Sequence, residues 1–245
     1  IIAEQFRSLR TNLAFMGIND EHKTLLVTSS ISGEGKSFIA LNLAMSFTLT
    51  GKRVGLMEMD LRKPKLSKYL GINRDPGITS YLIGKATIDQ IIKDTKYPNL
   101  FVISAGPIPP NPTELILGAK FAEMMALLKD KFDYIIIDSA PIGPVTDSQL
   151  ISGYANATLY VVRHAHTPKV FLRMIDDLYK QQKFTNMALI FNGLKARGSS
   201  LLGGGYGYGY GSYGYGYGYG NGDGYGYYTQ EESKNSWKNG WGLLR

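Results

Sequence analysis

A chain of 245 residues, 44% of them hydrophobic, can bury the core of one α/β domain and carry appendages. It contains no cysteine, which excludes disulfides and thiolate metal sites, and no run reaches the ~18–20 consecutive apolar residues of a membrane helix. The formal charge of +7 suits an anionic partner, but Lys and Arg are spread along the chain, so most of them read as solvating charge and nucleic acid is not expected.

The chain begins at Ile1 and no signal-peptide pattern follows, so it reads as a fragment of a longer protein, with any membrane anchor upstream or in another chain. Apolar residues at Ile2, Phe6, Leu9 and Leu13 fall at helical spacing from Ile2 to Phe15. Leu25 to Val27 reads as a first strand and Ser37 to Thr50 as the helix after it. Val54 to Met59 and Leu100 to Ser104 are further strands. Thr113 to Lys129 reads as a helix, with Pro112 and Thr113 at its start. Tyr134 to Ile137, Leu159 to Val162 and Ala188 to Phe191 complete the strands, with a helix from Lys169 to Gln182 between the last two. Strands apolar throughout, alternating with helices, predict an α/β fold with a mostly parallel sheet covered on both faces. Such a sheet places ligands at the carboxyl ends of its strands.

The segment between the first strand and its helix reads Ser29-Ser30-Ile31-Ser32-Gly33-Glu34-Gly35-Lys36-Ser37. Its end matches a phosphate-binding Walker A loop, in which glycines let backbone amides wrap phosphate oxygens at a helix N-terminus. Ser30 stands where the consensus has its first glycine. Lys36 would reach the β- and γ-phosphates, and the Ser37 hydroxyl would bind Mg²⁺. The alternative is a plain glycine-rich strand–helix turn.

The strand Val54 to Met59 leads into Glu58-Met59-Asp60-Leu61-Arg62, and positions two apart on a strand project to one side, so Glu58 and Asp60 are expected to converge. The strand Tyr134 to Ile137 leads into Asp138-Ser139-Ala140-Pro141, a Walker B-like acid. Nucleotide-bound Mg²⁺ keeps several waters and takes few carboxylates, a pattern Asp60 and Asp138 would satisfy. A remaining carboxylate could accept the proton of an attacking hydroxyl. The alternative is that each acid caps its own strand end or the turn that follows. His22, His164 and His166 do not make a metal triad, and the methionines read as core filler.

From Gly203 the composition changes to Tyr-Gly repeats, with tyrosines at Tyr206, Tyr208, Tyr210, Tyr213, Tyr215, Tyr217, Tyr219, Tyr225, Tyr227 and Tyr228. With almost no aliphatics such a segment cannot build a core, and a loosely held coil is expected. Aromatic self-association is one alternative use, and nucleic-acid stacking another, although the latter lacks interleaved Lys and Arg. Trp237 and Trp241 lie in a polar terminus without an assignable role. The chain therefore divides into an N-terminal helix over 1–20, a P-loop domain over 21–200 and a tail over 201–245.

Together these residues resemble the bacterial tyrosine kinase family, the cytoplasmic kinase domains of polysaccharide co-polymerases. The resemblance covers about Glu4 to Gly193 and the tail. It rests on the loop Ser29 to Ser37, the Walker A′ segment Glu58 to Arg62, Asp138 to Pro141, the Pro-Asn-Pro segment Gly106 to Leu115, and Val161-Val162-Arg163 with Thr167. It implies a P-loop kinase that transfers phosphate from ATP, with Mg²⁺, to its own tail tyrosines. ATP would be held by Ser32, Gly33, Glu34, Gly35, Lys36, Ser37, Phe38, Arg163 and Asn192. Lys36, Glu58, Asp60, Arg62 and Asp138 would be catalytic, and Ser37, Asp60 and Asp138 would hold the metal, partly through water. The family's usual base is the first Walker A′ carboxylate, here Glu58 in place of Asp, so either Glu58 or Asp60 takes that role. Glu4, Arg7 and Arg10 match the family's ring-forming Glu-x-x-Arg-x-x-Arg helix, and Phe6, Leu9 and Leu13 should face the core. The implied partners are further copies in a ring, a transmembrane activator (fused or separate) and a phosphotyrosine phosphatase. The implied place is the inner face of the bacterial plasma membrane, and the implied output is control of polysaccharide polymerisation and export. The rival reading is a nucleotide-switch ATPase of the partitioning or division-site type, which carries a lysine near the loop start where this chain has Ile31. A weakly catalytic scaffold is the third.

Overall fold

The computed structural model describes residues 2–18, 23–143 and 146–194. The tail over 201–245, with its ten tyrosines and both tryptophans, lies outside the described residues, as does His22. In chain order the elements are α1 (Ile2–Phe15), β1 (Thr24–Ser29), α2 (Lys36–Thr48), β2 (Val54–Met59), α3 (Leu66–Tyr69), α4 (Ile78–Leu82), α5 (Ile88–Ile91), β3 (Ile92–Asp94), β4 (Leu100–Ile103), α6 (Pro112–Leu117), α7 (Ala119–Lys131), β5 (Tyr134–Ser139), α8 (Asp147–Ser152), β6 (Ala157–Arg163), α9 (Val170–Lys180) and β7 (Met187–Asn192).

The strands form a seven-stranded sheet in the order β3-β4-β2-β5-β1-β6-β7, parallel except where β3 runs against β4. Every residue of β1, β2 and β5 is buried, as expected of strands covered on both faces. Alternation divides them between two cores. Leu25 and Val27 pack with α1 and α2, whereas Leu26 packs with α7 and α9 on the opposite face. On α1, Phe6 and Leu13 are buried and Leu9 packs beside them, as the helical spacing predicts. Phe6 meets Phe38 edge-on at 5.9 Å, joining α1 to the first turn of α2. Phe47 stacks on Tyr134 at 4.1 Å, a contact adding about 0.5–1.5 kcal/mol to the burial of both rings.

The predicted helix from Thr113 to Lys129 is two helices. Gly118, in extended backbone at φ −68° and ψ 148°, ends α6 and starts α7. The short elements α3, α4, α5, α8 and β3 were not foreseen from the pattern, since three to six residues are too few for a periodicity to register.

Parallel β1, β2, β5, β6 and β7 bring their carboxyl ends to one edge of the sheet. Register places Val27 and Glu58 on either side of Asp138, and Arg163 beside Asn192. The candidate residues collect there.

Candidate active site

The loop from Ser29 leads into α2 through Gly35, whose φ of +98° is left-handed. A Cβ on Gly35 would lie 2.3 Å from the Asn192 amide nitrogen, so any larger residue would push the end of β7 off the loop. The loop is braced from within and from two sides. Inside, the Glu34 carboxylate accepts from the Ile31 amide at 2.7 Å and from the Thr167 hydroxyl. From β6 and β7, Arg163 donates to the Gly33 carbonyl at 2.7 Å, Asn192 to the Glu34 carbonyl at 2.9 Å, and His166 Nε2 lies 3.0 Å from the Ser32 carbonyl. From the Walker B side, the Ile142 and Gly143 amides donate to the Ser29 and Ser30 carbonyls at 2.8 and 3.0 Å. A Cβ on Gly143 would stand 2.8 Å from the Ser30 carbonyl oxygen, so the close approach requires glycine. Loop carbonyls are thereby occupied on their outer side.

A pocket of about 780 Å³ opens above this loop, lined by Ser32, Gly33, Gly35, Lys36, Ser37, Phe38, Asp60, Arg62, Asp138 and Arg163 among others. Glu34 and Asn192, expected around the nucleotide, are not among the lining residues. Both act on the loop's backbone instead.

Lys36 is 8% exposed, and burial lowers its pKa, against the charges of Asp138, Asp60 and Glu34, which raise it. Burial pushes Asp138 up to about 7, although a hydrogen bond from Ser37 and the charge of Lys36 hold it down. The Asp138 Oδ1 is buried with no hydrogen-bond partner. An orphaned carboxylate oxygen beside a serine hydroxyl, with Asp60 on the same pocket, is an all-oxygen donor set that fits a small hard cation. Among the described residues no cluster of His, Cys, Asp and Glu could hold a metal unaided. An ion here would therefore share its shell with water and ligand phosphate.

The raised pKa of Asp138 carries a stability consequence for the nucleotide-free chain. A carboxyl held above its unfolded value contributes stability that is complete below about pH 3.8 and is lost as pH rises toward 7. Asp138→Asn should therefore melt several degrees higher than wild type at pH 8 without ligands, a gain that shrinks toward pH 5, at about 2–4 °C per kcal/mol. Calorimetry at the two pH values checks it.

Glu58 departs from expectation. The strand β2 ends at Met59, so alternation stops before Asp60 and the two acids diverge. Glu58 is fully buried, and its carboxylate accepts the Ser67 amide at 3.1 Å and the Ala105 amide at 3.2 Å. It ties the end of β2 to α3 and to the chain after β4. Asp60 faces the pocket, with Oδ1 accepting from the Lys63 amide at 3.0 Å. Arg62 donates to Asp147 at 3.0 and 3.4 Å and to the Thr113 hydroxyl at 3.1 Å. Thr113 itself donates to Asp147 at 2.8 Å. Buried Asp147, which sequence reading missed, thus links the Walker A′ arm to the Pro-Asn-Pro segment. Its only sequence signal is an acid in the first turn of a six-residue helix.

On α1, Glu4 and Arg7 are exposed and pair with each other at 2.9 Å. Arg10 differs: it donates to the Ser46 carbonyl of α2, so one of the three expected interface residues is engaged within its own chain.

The comparisons follow this geometry. The family model described as ParA, NUBPL iron-transfer P-loop NTPase, matches residues 21–160. The tyrosine-protein kinase YwqD of Bacillus subtilis is 33% identical over 193 residues, covering 79% of this chain and 81% of that protein. The tyrosine-protein kinase wzc of Salmonella typhimurium is 37% identical over 162 residues, which are 66% of this chain but 22% of that longer protein. Among solved structures, the kinase domain of the Escherichia coli tyrosine kinase ETK aligns with a TM-score of 0.75 at 26% identity, over 83% of this chain and 80% of that one. The division ATPase MinD of Pyrococcus furiosus aligns at 0.56 and 24% identity over 69% of this chain, a likeness of fold alone that gives the switch-ATPase reading no support beyond it. With a P-loop sheet, a Walker A′ arm and a tyrosine-protein kinase, YwqD, matched at 33% identity over 81% of its length, the chain belongs to the bacterial tyrosine kinase family.

Proposed function

We propose that this chain is an ATP-dependent tyrosine autokinase whose acceptors are the phenols of its own tail, Tyr206 to Tyr228. The observation that carries the reading is the gathering of Lys36, Ser37, Asp60 and Asp138 on one pocket at the mouth of the phosphate loop. Loop amides and Lys36 bind the triphosphate. Ser37 and Asp138, with Asp60, would hold Mg²⁺, which when bound offsets the charge of the transferring phosphoryl group. A phenol has a pKa near 10, so a base at the acceptor oxygen assists transfer. The pocket-facing carboxylate of Asp60, meeting the metal through water, supports that role for Asp60, and the burial of Glu58 on backbone amides speaks against Glu58. The phenolic oxygen bonds to the γ-phosphorus, the bond to the β-phosphate bridging oxygen breaks, the phenol proton passes to Asp60, and ADP leaves.

A Gly-rich coil of ~15 residues would span about 20 Å, a reach that permits transfer within a chain or to a neighbour in a ring. Exposed Glu4 and Arg7 are available for that ring's contacts. Each phosphate adds about −1.5 to −2 charge, so crowded phosphotyrosines would repel and loosen the assembly. We place the domain at the inner face of the membrane under a transmembrane activator, opposed by a phosphatase, with polysaccharide polymerisation and export as its output. Among the described residues no helix is long and apolar enough to cross a membrane.

Incubating the full chain with MgATP and its activator, then mapping phosphate by mass spectrometry and sizing the assembly, tests the reading. Phosphate on Tyr206 to Tyr228 with a shift to smaller species is expected. ATP hydrolysis without tyrosine label would overturn it in favour of a nucleotide switch.

A further inference from the structure

Cations outnumber acids around the pocket. Its lining includes Lys36, Arg62, Lys63, Lys65 and Arg163 against Asp60 and Asp138. Three of the cations are committed. Lys36 lies in the field of Asp138 and Asp60, Arg62 is paired with Asp147, and Arg163 donates to the phosphate loop. Lys63 and Lys65 are exposed and have no ion-pair partner among the described residues. Their backbone is nevertheless fixed. The Lys63 amide is held by Asp60, and the Lys65 carbonyl accepts from Tyr69 at the start of α3. Lys65 and Lys36 line the same pocket.

We propose that Lys63 and Lys65 form a subsite for an aryl phosphate monoester on the acceptor strand, so that a tail segment already bearing one phosphotyrosine is a better substrate than a bare one. The proposal rests on the tyrosine-kinase reading above and names a preference within it. From Tyr206 to Tyr210 and from Tyr213 to Tyr219 the tyrosines recur every second residue. In an extended chain such neighbours point the same way about 6.6–6.8 Å apart. Lys63 and Lys65 stand three and five residues beyond Asp60 on the same arm and line the same pocket, so a strand offering one phenol to Asp60 would offer the next within that lining. A phosphate there carries about −1.5 to −2 charge and meets two unneutralised ammonium groups. Two exposed charge pairs together give a preference of about tenfold. Phosphorylation of the tail then favours its own continuation, and partly modified tails fill before bare ones start.

The same chemistry could serve the γ-phosphate of the nucleotide, and the experiment separates the two. Two peptides of sequence Gly-Tyr-Gly-Tyr-Gly-Tyr-Gly are prepared, one with its central tyrosine phosphorylated. Each is titrated calorimetrically into the full chain with ADP present, and each is assayed for phosphate uptake with MgATP. The wild type should bind the phosphorylated peptide about tenfold more tightly and show a correspondingly lower KM for it. The advantage should shrink between 0.05 and 0.5 M salt, as the Debye length falls to ~4 Å. The K63Q/K65Q double variant should bind both peptides alike. Equal binding of the two peptides by the wild type overturns the subsite, as does a preference that survives in the double variant. A raised KM for ATP with peptide preference retained assigns the lysines to the nucleotide instead. If the phosphorylated peptide binds tighter but no tyrosine is ever labelled, the subsite stands and the kinase reading fails.

Discussion

Lys36→Met should cut tyrosine labelling of the tail by about 10²–10³-fold while leaving a cooperatively folded chain. Removing one preorganised group that stabilises developing charge in a desolvated site costs roughly 2.7–4 kcal/mol of barrier, which sets that range. Lys36 meets the description: it is 8% exposed at the start of α2, in a pocket shared with Asp60 and Asp138. Methionine keeps most of the stem's length and its apolar contacts, so the phosphate loop retains its shape. The lost ammonium leaves Asp138 without its main positive neighbour, and that carboxyl, already pushed up to about 7, simply stays protonated to higher pH. A melting curve close to that of wild type, together with tail label at or below one percent, is the expected pair of results. Label within about threefold of wild type at saturating ATP would mean that phosphate is not bound where the loop places it.

The sheet was legible because its signals are long and redundant. Runs such as Leu25 to Val27 and Tyr134 to Ile137 are apolar on both faces, which a parallel, doubly covered strand requires. The phosphate loop was legible because glycines, lysine and serine occur in an order that backbone geometry imposes. What escaped notice depends on contacts between residues distant in the chain. Asp147 meets Arg62 across 85 positions, and Asn192 meets the Glu34 carbonyl across 158. His166, read from the sequence only as no part of a metal triad, is exposed and lies against the Ser32 carbonyl across 134 positions. Arg10 was expected from the family resemblance at a subunit interface, yet its long side chain reaches back to the Ser46 carbonyl, a choice that a motif match does not encode. Glu58 and Asp60 were expected to converge, and they part because the strand stops between them.

That parting makes the second large effect a comparison of two acids. Asp60→Asn should lower kcat by about 10²–10⁴-fold, the usual worth of a positioned general base, with little change in melting temperature. The amide oxygen of asparagine still accepts the Lys63 amide, so the turn that presents the residue survives while the proton acceptor is gone. Glu58→Gln should do the reverse. Its carboxylate accepts two buried backbone amides, one on each oxygen, and a glutamine can satisfy only one. The other amide then faces an N–H donor, a loss of roughly 1–3 kcal/mol for a buried unsatisfied group. For a domain of this size that is a fall of about 2–12 °C in melting temperature. Assayed well below its melting point, however, Glu58→Gln should label its tail within a few-fold of the wild-type rate. A Glu58→Gln chain that is fully folded yet inert, beside an active Asp60→Asn chain, would return the base to the first carboxylate and require Glu58 to leave both amides during the reaction.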